Sequence, residues 1–246
     1  MKKYMFRFAT VVLKFTPAAL VMLVKTRRYM RNQDKYDMEQ RFALANWICR
    51  KLQKASRTKT LVYGLENLPK NTGYIMYPNH QGKYDAIGIL LNHEAPFAIL
   101  MEEKQSRKLV ANQVISLVDG KRLPFDKPRK QIEILKEIGK EVAEGKKYLI
   151  FPEGGYEYNR NSLQKFNSGC FRCSLDSKTP VVPVVLVDSW KSMNSNSLKP
   201  CVTEVHFLKP IEYDEYKDLN KTKLSDLVKS RIQDKLDEVL KERSAK

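Results

Sequence analysis

The 246 residues carry 45 Lys and Arg against 28 Asp and Glu, a formal charge of +17, with 42% of positions apolar. That apolar share excludes a charge-expanded disordered chain, and the length suits one α/β core without forcing a split into two independent units. The charge favours an anionic partner (phosphate, anionic lipid, an acidic carrier protein or nucleic acid) and by itself does not choose among them.

The first expected element is an apolar run from Phe8 to Val24, interrupted by Lys14 and Pro17 and followed by Lys25, Arg27, Arg28 and Arg31. No small-x-small cleavage site follows it, which disfavours a removable signal peptide. A spanning helix needs about 20 mostly apolar residues, so a run with a central lysine reads better as two short helices broken at Pro17 and lying in the membrane interface. Lys14 then reaches the headgroups, Phe6, Phe8, Val11, Val12, Leu20 and Leu23 enter the acyl boundary, and the basic cluster meets anionic lipid. Residues 1–35 are accordingly expected to form a membrane-associating helical segment and 36–246 the main domain. The competing reading is an ordinary core helix at the start of a soluble domain.

From Gln40 to Gln53, Phe42, Ala45, Ile48, Cys49 and Leu52 recur at helical spacing and predict an amphipathic linker helix. Short β-rich runs follow at Tyr74–Tyr77, Phe97–Met101, Ile115–Val118, Tyr148–Phe151, Val181–Val187 and Val202–Leu208, with helical patterns between them. That alternation predicts a sheet covered by helices. Ile134, Leu135, Ile138 and Val142 mark a helix closing at Gly145, and a final covering helix over 222–243 shows Leu224, Leu227, Val228, Ile232, Leu236, Val239 and Leu240 on one face.

Cys49, Cys170, Cys173 and Cys201 form no disulfide framework, and no second C-x-x-C completes a metal site. Cys170 and Cys173 read as small buried residues on a helix, in keeping with a reducing cytoplasmic setting.

Only three histidines are available as a base near neutral pH. His206 lies in a β-rich run and His93 in a polar link, and a structural role is favoured for both. His80 follows the strand Tyr74–Tyr77 and Pro78 and precedes Gly82 and an apolar helix that begins at Asp85. A strand-to-helix turn presents a side chain at a sheet edge without burying it. Asp85, five residues on, is close enough to accept a hydrogen bond from one imidazole nitrogen and leave the other to take a proton. No Gly-x-Ser-x-Gly elbow or cysteine in a comparable turn offers a covalent nucleophile, so the pair points to direct attack by a substrate hydroxyl. Gly82 is a candidate backbone donor to an oxyanion. A second cluster, Phe151-Pro-Glu-Gly-Gly155, also follows a strand. Its Gly154 and Gly155 permit positive φ and expose amides to an anion or polar headgroup, while Glu153 is expected to orient a lysine, an arginine or a substrate hydroxyl.

Taken in order, Asn79-His80-Gln-Gly-Lys-Tyr-Asp85 resembles an NHxxxxD motif, Phe151-Pro-Glu-Gly154 an FPEG motif and Val182-Pro183-Val184 a VPV motif. Gly64-Leu-Glu-Asn-Leu-Pro69 resembles the entry into the first. The family that these residues resemble is the glycerolipid acyltransferases, specifically the 1-acylglycerol-3-phosphate acyltransferases, over roughly Val62 to Phe207 (motif-bearing core 62–208). The resemblance implies an α/β acyltransferase domain with a mixed, largely parallel sheet, no metal or other cofactor, and acyl-CoA or acyl-carrier protein as co-substrate. It implies His80 as base, Asp85 as its orienting partner, a lysophosphatidate acceptor acylated at its sn-2 hydroxyl to give phosphatidate, and the cytoplasmic face of the cell membrane as location. Two departures concern the acceptor phosphate. Tyr156 stands where an arginine is expected after FPEG, and Lys127 stands where the second motif ends in arginine, with Arg122 and Arg129 as rivals. Lysine keeps the charge but loses the bidentate fork. The alternatives are a same-fold acyltransferase for glycerol 3-phosphate or another lysophospholipid, and a non-catalytic membrane lipid-binding module. A nucleic-acid partner is not expected, because no recognised binding motif accompanies the charge.

Overall fold

The structure is a computed structural model and describes residues 5–245. It opens with α1 (Met5–Arg31) and α2 (Met38–Ala55), followed by β1 (Thr58–Tyr63), β2 (Tyr74–Pro78), α3 (Asp85–Leu90), β3 (Ala98–Glu102), α4 (Glu103–Ser106) and α5 (Leu109–Leu117). Then come β4 (Lys121–Leu123), α6 (Pro128–Ala143), β5 (Lys147–Ile150), α7 (Arg172–Ser177), β6 (Val181–Val187), α8 (Trp190–Met193), β7 (Cys201–Phe207), α9 (Tyr213–Tyr216) and α10 (Lys221–Ser244). The described strands form one seven-stranded sheet in the order β1-β7-β6-β2-β5-β3-β4. Five strands run one way and β1 and β7 the other, joined through the antiparallel β6–β7 pair. The mixed, largely parallel sheet expected from the sequence is therefore present.

Alternation along the strands divides the core. Tyr74, Met76, Val182, Val184, Val205 and Phe207 face α1, α2, α3 and α5, whereas Ile75, Tyr77, Val181, Val185 and Val187 face α6, α7 and α10. Every residue of β2 and β6 is buried, as befits central strands covered on both faces. On α10, Leu224, Val228, Ile232, Leu236 and Val239 form the buried stripe that the sequence predicts.

Two expectations are corrected. Ile115–Val118 is not a strand but the end of α5, with Val118 as its cap. Val110, Val114, Leu117 and Val118 repeat at i, i+4, i+7 and i+8, and a short apolar run at a helix end mimics a strand. The N-terminal segment is one helix that passes through Pro17 rather than two short ones. Interior proline costs about 3 kcal/mol or more, but Val11, Phe15 and Met22, on either side of it, are all buried against the domain. Arg7, 2% exposed, fixes the start of α1 by donating to the carbonyls of Ser56 (2.6 Å), Ser192 (2.6 Å), Lys199 (2.8 Å) and Ser197. The helix thus lies along α2, α5 and α8. Its inner face includes Val11, and Leu23 packs against the same core. Phe6, Val12, Leu13, Leu20, Val21 and Val24 form the outer apolar face.

Candidate active site

β2 is flanked by β5 and β6, and the chain leaves the carboxyl ends of these three parallel strands through neighbouring turns. Such convergence is where open α/β sheets place their ligands. His80 stands in the turn after β2, Glu153 in the turn after β5, and Ser189 in the turn after β6.

His80 Nδ1 lies 2.6 Å from Asp85 Oδ2. The same oxygen accepts the backbone N–H groups of Gln81 (2.5 Å) and Gly82 (2.9 Å), and Oδ1 accepts the Ser189 hydroxyl at 2.5 Å. A carboxylate surrounded by donors requires Nδ1 to donate as well, which leaves the Nε2 lone pair for a substrate proton. Asp85 is fully buried, while the His80 side chain keeps 19% of its surface exposed. The oriented member is closed off and the reactive one open.

The turn is held by a polar cage that spacing did not reveal. Asn79 exchanges hydrogen bonds with the backbone of Leu186 (3.0 and 2.7 Å). Gln81 donates to Leu186 O and Asn161 Oδ1 and accepts from Ser189 N at 2.8 Å. Asn159 donates to the His80 carbonyl at 3.0 Å, and Asn161 bonds both the backbone and carboxylate of Asp188, which Arg243 of α10 also grips at 2.6 Å. Tyr158 and Arg160, flanking Asn159, take left-handed backbone angles (φ 55° and 51°), a costly conformation for side chains of this size. The contacts of Asn159 and Asn161 oppose that strain.

Several sequence-predicted site residues have other work in the structure. Among the described residues Glu153 orients no lysine or arginine; Oε1 accepts the His80 backbone N–H at 3.0 Å and Oε2 accepts an N–H of Gln164 at 2.6 Å. Burial pushes its carboxyl up, against the opposing effect of those two donors. Gly82 is removed as an oxyanion donor, because its N–H already serves Asp85. Its lack of a side chain has a spatial reason instead, since a Cβ would meet the Asn194 amide at 3.1 Å. Gly154 has φ +71° and donates to Phe151 O, closing the turn. Arg122 is committed to Ser106, Asn112 and Ser116. Lys127 caps α6 and Arg129 lies in its first turn, both exposed. Phe125, two residues before Lys127, comes within 4.0 Å of a Cβ built on Gly154, so that basic loop borders the second glycine turn.

The His80 ring packs 4.2 Å from that of Phe151 and, edge to face, 4.8 Å from that of Tyr156 (centroid distances). The other two histidines are structural. His93 bonds Tyr74 and the Ala95 carbonyl, and burial pushes it down to about 4. His206 bonds Glu204 at 2.8 Å. A cavity of about 490 Å³ opens between β1, β7 and α10, lined by Tyr63, Glu204, His206 and Arg243 among others, and none of the residues that bond the dyad lines it.

A family model described as "Acyltransferase" matches residues 59–187. A 1-acyl-sn-glycerol-3-phosphate acyltransferase of Saccharomyces cerevisiae is 30% identical over 193 residues, 74% of this chain and 59% of that protein. One from Borreliella burgdorferi is 26% identical over 186 residues, 74% and 73% of the two chains. A chloroplastic one from Brassica napus is 30% identical over 140 residues, which is 56% of this chain and only 40% of the relative. Among solved structures, the 1-acyl-sn-glycerophosphate (LPA) acyltransferase of Thermotoga maritima superposes with a TM-score of 0.72 at 19% identity, covering 94% of this chain and 91% of that one.

Proposed function

This chain belongs to the acyltransferase family, and from that premise we propose that it moves a fatty acyl group from acyl-CoA or acyl-carrier protein to the sn-2 hydroxyl of lysophosphatidate. The observation that carries the reading is the dyad, in which Asp85 fixes Nδ1 of His80 and leaves Nε2 open at the meeting point of three strand ends. The hydroxyl loses its proton to Nε2 while its oxygen attacks the thioester carbonyl. The tetrahedral intermediate collapses, the C–S bond breaks, and the imidazolium returns the proton to the departing thiolate. No covalent acyl-enzyme is needed. The amides of His80, Gln81 and Gly82 are spoken for by Glu153 and Asp85. We assign the oxyanion-donor role to Gly155, at the open edge of the second turn, where a Cβ would meet nothing within 4 Å.

The N-terminal helix supports a membrane location for this chemistry. It is long and apolar enough to cross a bilayer, yet one face is packed along the domain and anchored by Arg7. A helix so held lies on a membrane, its outer face in the acyl boundary and its basic end at anionic headgroups, and we place the protein at the cytoplasmic face in this monotopic way. His80→Ala tests the reading. Phosphatidate formation in anionic vesicles falls by at least about 1,000-fold with thermal stability and vesicle flotation retained; a variant close to wild type sinks it.

A further inference from the structure

Inside the dyad turn stands an exposed cation, Lys83, without, among the described residues, the carboxylate partner that several lysines near the sheet have. Lys121, Lys146 and Lys191 each pair with a carboxylate within 2.7 Å. No carboxylate among the described residues pairs with Lys83, and its ammonium lies over two ring faces, 5.0 Å from the centroid of Phe8 and 5.8 Å from that of Tyr156. Its backbone is fixed on both sides. Gly82 is bonded to Asp85, and Tyr84 is buried with its hydroxyl on Thr60 and Gln53. Ring faces attract an ammonium only weakly compared with an anionic oxygen, so the charge is placed but not neutralised.

The contacts on either side indicate what would neutralise it. Tyr156, under Lys83, is the residue whose ring meets His80 edge to face at 4.8 Å. Phe8, on the other side, belongs to α1, close to the outward apolar residues Phe6, Val12 and Leu13. One chain of contacts thus runs from the lipid-facing helix through Lys83 and Tyr156 to the base. A lysolipid whose tail lies in the bilayer and whose hydroxyl meets Nε2 carries its phosphate a few bonds from that hydroxyl, at headgroup level.

We propose that Lys83 binds the phosphate of the acceptor lipid and so makes the site selective for phosphate-bearing over uncharged acceptors. This rests on the reading of His80 as base for a lysophospholipid hydroxyl. Partial desolvation against the rings lowers the pKa of this otherwise exposed ammonium, with Tyr158 opposing, and a bound phosphate would reverse the shift.

The test compares the full-length wild type with Lys83→Met and Lys83→Arg in vesicles, using lysophosphatidate and the uncharged 1-monoacylglycerol as acceptors. Lys83→Met is expected to raise KM for lysophosphatidate about tenfold or more while kcat changes less than about threefold, and Lys83→Arg to stay within about threefold of wild type. Activity on monoacylglycerol, flotation and melting temperature are expected to be unchanged. An unchanged KM overturns the proposal. So does a parallel loss on both acceptors, which would mark a structural role, or a loss explained by weaker flotation, which would mean that Lys83 reads bulk bilayer phosphates. A wild type that acylates no phosphate-bearing acceptor refutes the proposed function and this inference together. A wild type that acylates lysophosphatidate with Lys83→Met equally good refutes this inference alone.

Discussion

The turn after β2 and the helix α1 treat polar and apolar groups in opposite ways. In the turn, polar groups are buried and bonded: Asp85, Gln81 and Asn79 have no exposed surface, and both oxygens of Asp85 are occupied. On α1, apolar groups are exposed and uncovered, with Leu13 at 73%, Val24 at 70% and Leu20 at 67%. Burying a hydrogen-bonded carboxylate is costly and is sustained only where its orientation matters, whereas an apolar stripe left open needs a covering environment to be stable. In the proposed function the turn carries the reaction and the helix sets where it happens. Changes in the two regions should therefore separate cleanly into effects on turnover and effects on lipid binding.

The sharpest break of that comparison is Asp85→Asn. An amide oxygen can keep the three donors on Oδ2, but Asn removes the negative charge that stabilises the imidazolium formed when His80 takes a proton and puts an NH2 against the Ser189 hydroxyl, so kcat is expected to fall by roughly 100- to 10,000-fold with vesicle binding intact. Loss of flotation in this variant would show that turn and helix are not separable. The converse change places aspartate at Leu13, Leu20 and Val24 together. Partition onto anionic vesicles should drop by at least about tenfold, because each lost apolar contact with lipid removes on the order of 1.5 kcal/mol or more. Turnover of a short-chain, water-soluble acceptor should be preserved; flotation equal to wild type would mean that another surface carries the membrane contact.

A smaller effect is expected at Ser189, which acts through Asp85. Ser189→Ala removes the hydroxyl from Oδ1 while three donors remain on Oδ2, so kcat should fall roughly tenfold at unchanged KM and return in Ser189→Thr. An unchanged kcat would show that the Oδ2 donors suffice. The smallest effect concerns stability alone. His93 is depressed to about 4 by burial, against an ordinary value of 6.5. Below 6.5 the unfolded chain binds a proton that the folded one refuses, so the stability supplied by neutral His93 is complete above that pH. It declines as pH falls toward 4, with a slope of up to about 1.4 kcal/mol per pH unit. His93→Gln should flatten the dependence of melting temperature on pH between 7 and 4 without altering kcat at pH 7.5; an unchanged slope would assign the acid sensitivity to other groups.

How much of this was legible in the sequence follows the range of each interaction. His80 and Asp85 are five residues apart in one turn, and spacing alone brings them together. Gln81, Asn161 and Ser189 meet across 80 to 108 residues, and no local pattern marks a serine or asparagine that will bond across three strand ends. Asn159 and Asn161, two residues apart, are the available hint. β1 escaped notice because Thr58–Tyr63 is an edge strand with mixed burial and little apolar alternation. The break expected at Pro17 failed because tertiary packing on both sides outweighs a local penalty. A glycine after the histidine suggests an amide donor, whereas the lack of a side chain at Gly82 answers to Asn194.

The most direct test of the account is the product itself. Purified protein in anionic vesicles is given lysophosphatidate and a panel of thioester donors, acyl-CoA and acyl-carrier protein of several chain lengths, and the lipids are weighed by mass spectrometry. The account predicts phosphatidate with the new chain at sn-2, formed from at least one thioester and without an acylated protein intermediate. No phosphatidate from any thioester, or acyl transfer that proceeds through a covalent acyl-enzyme, would contradict it.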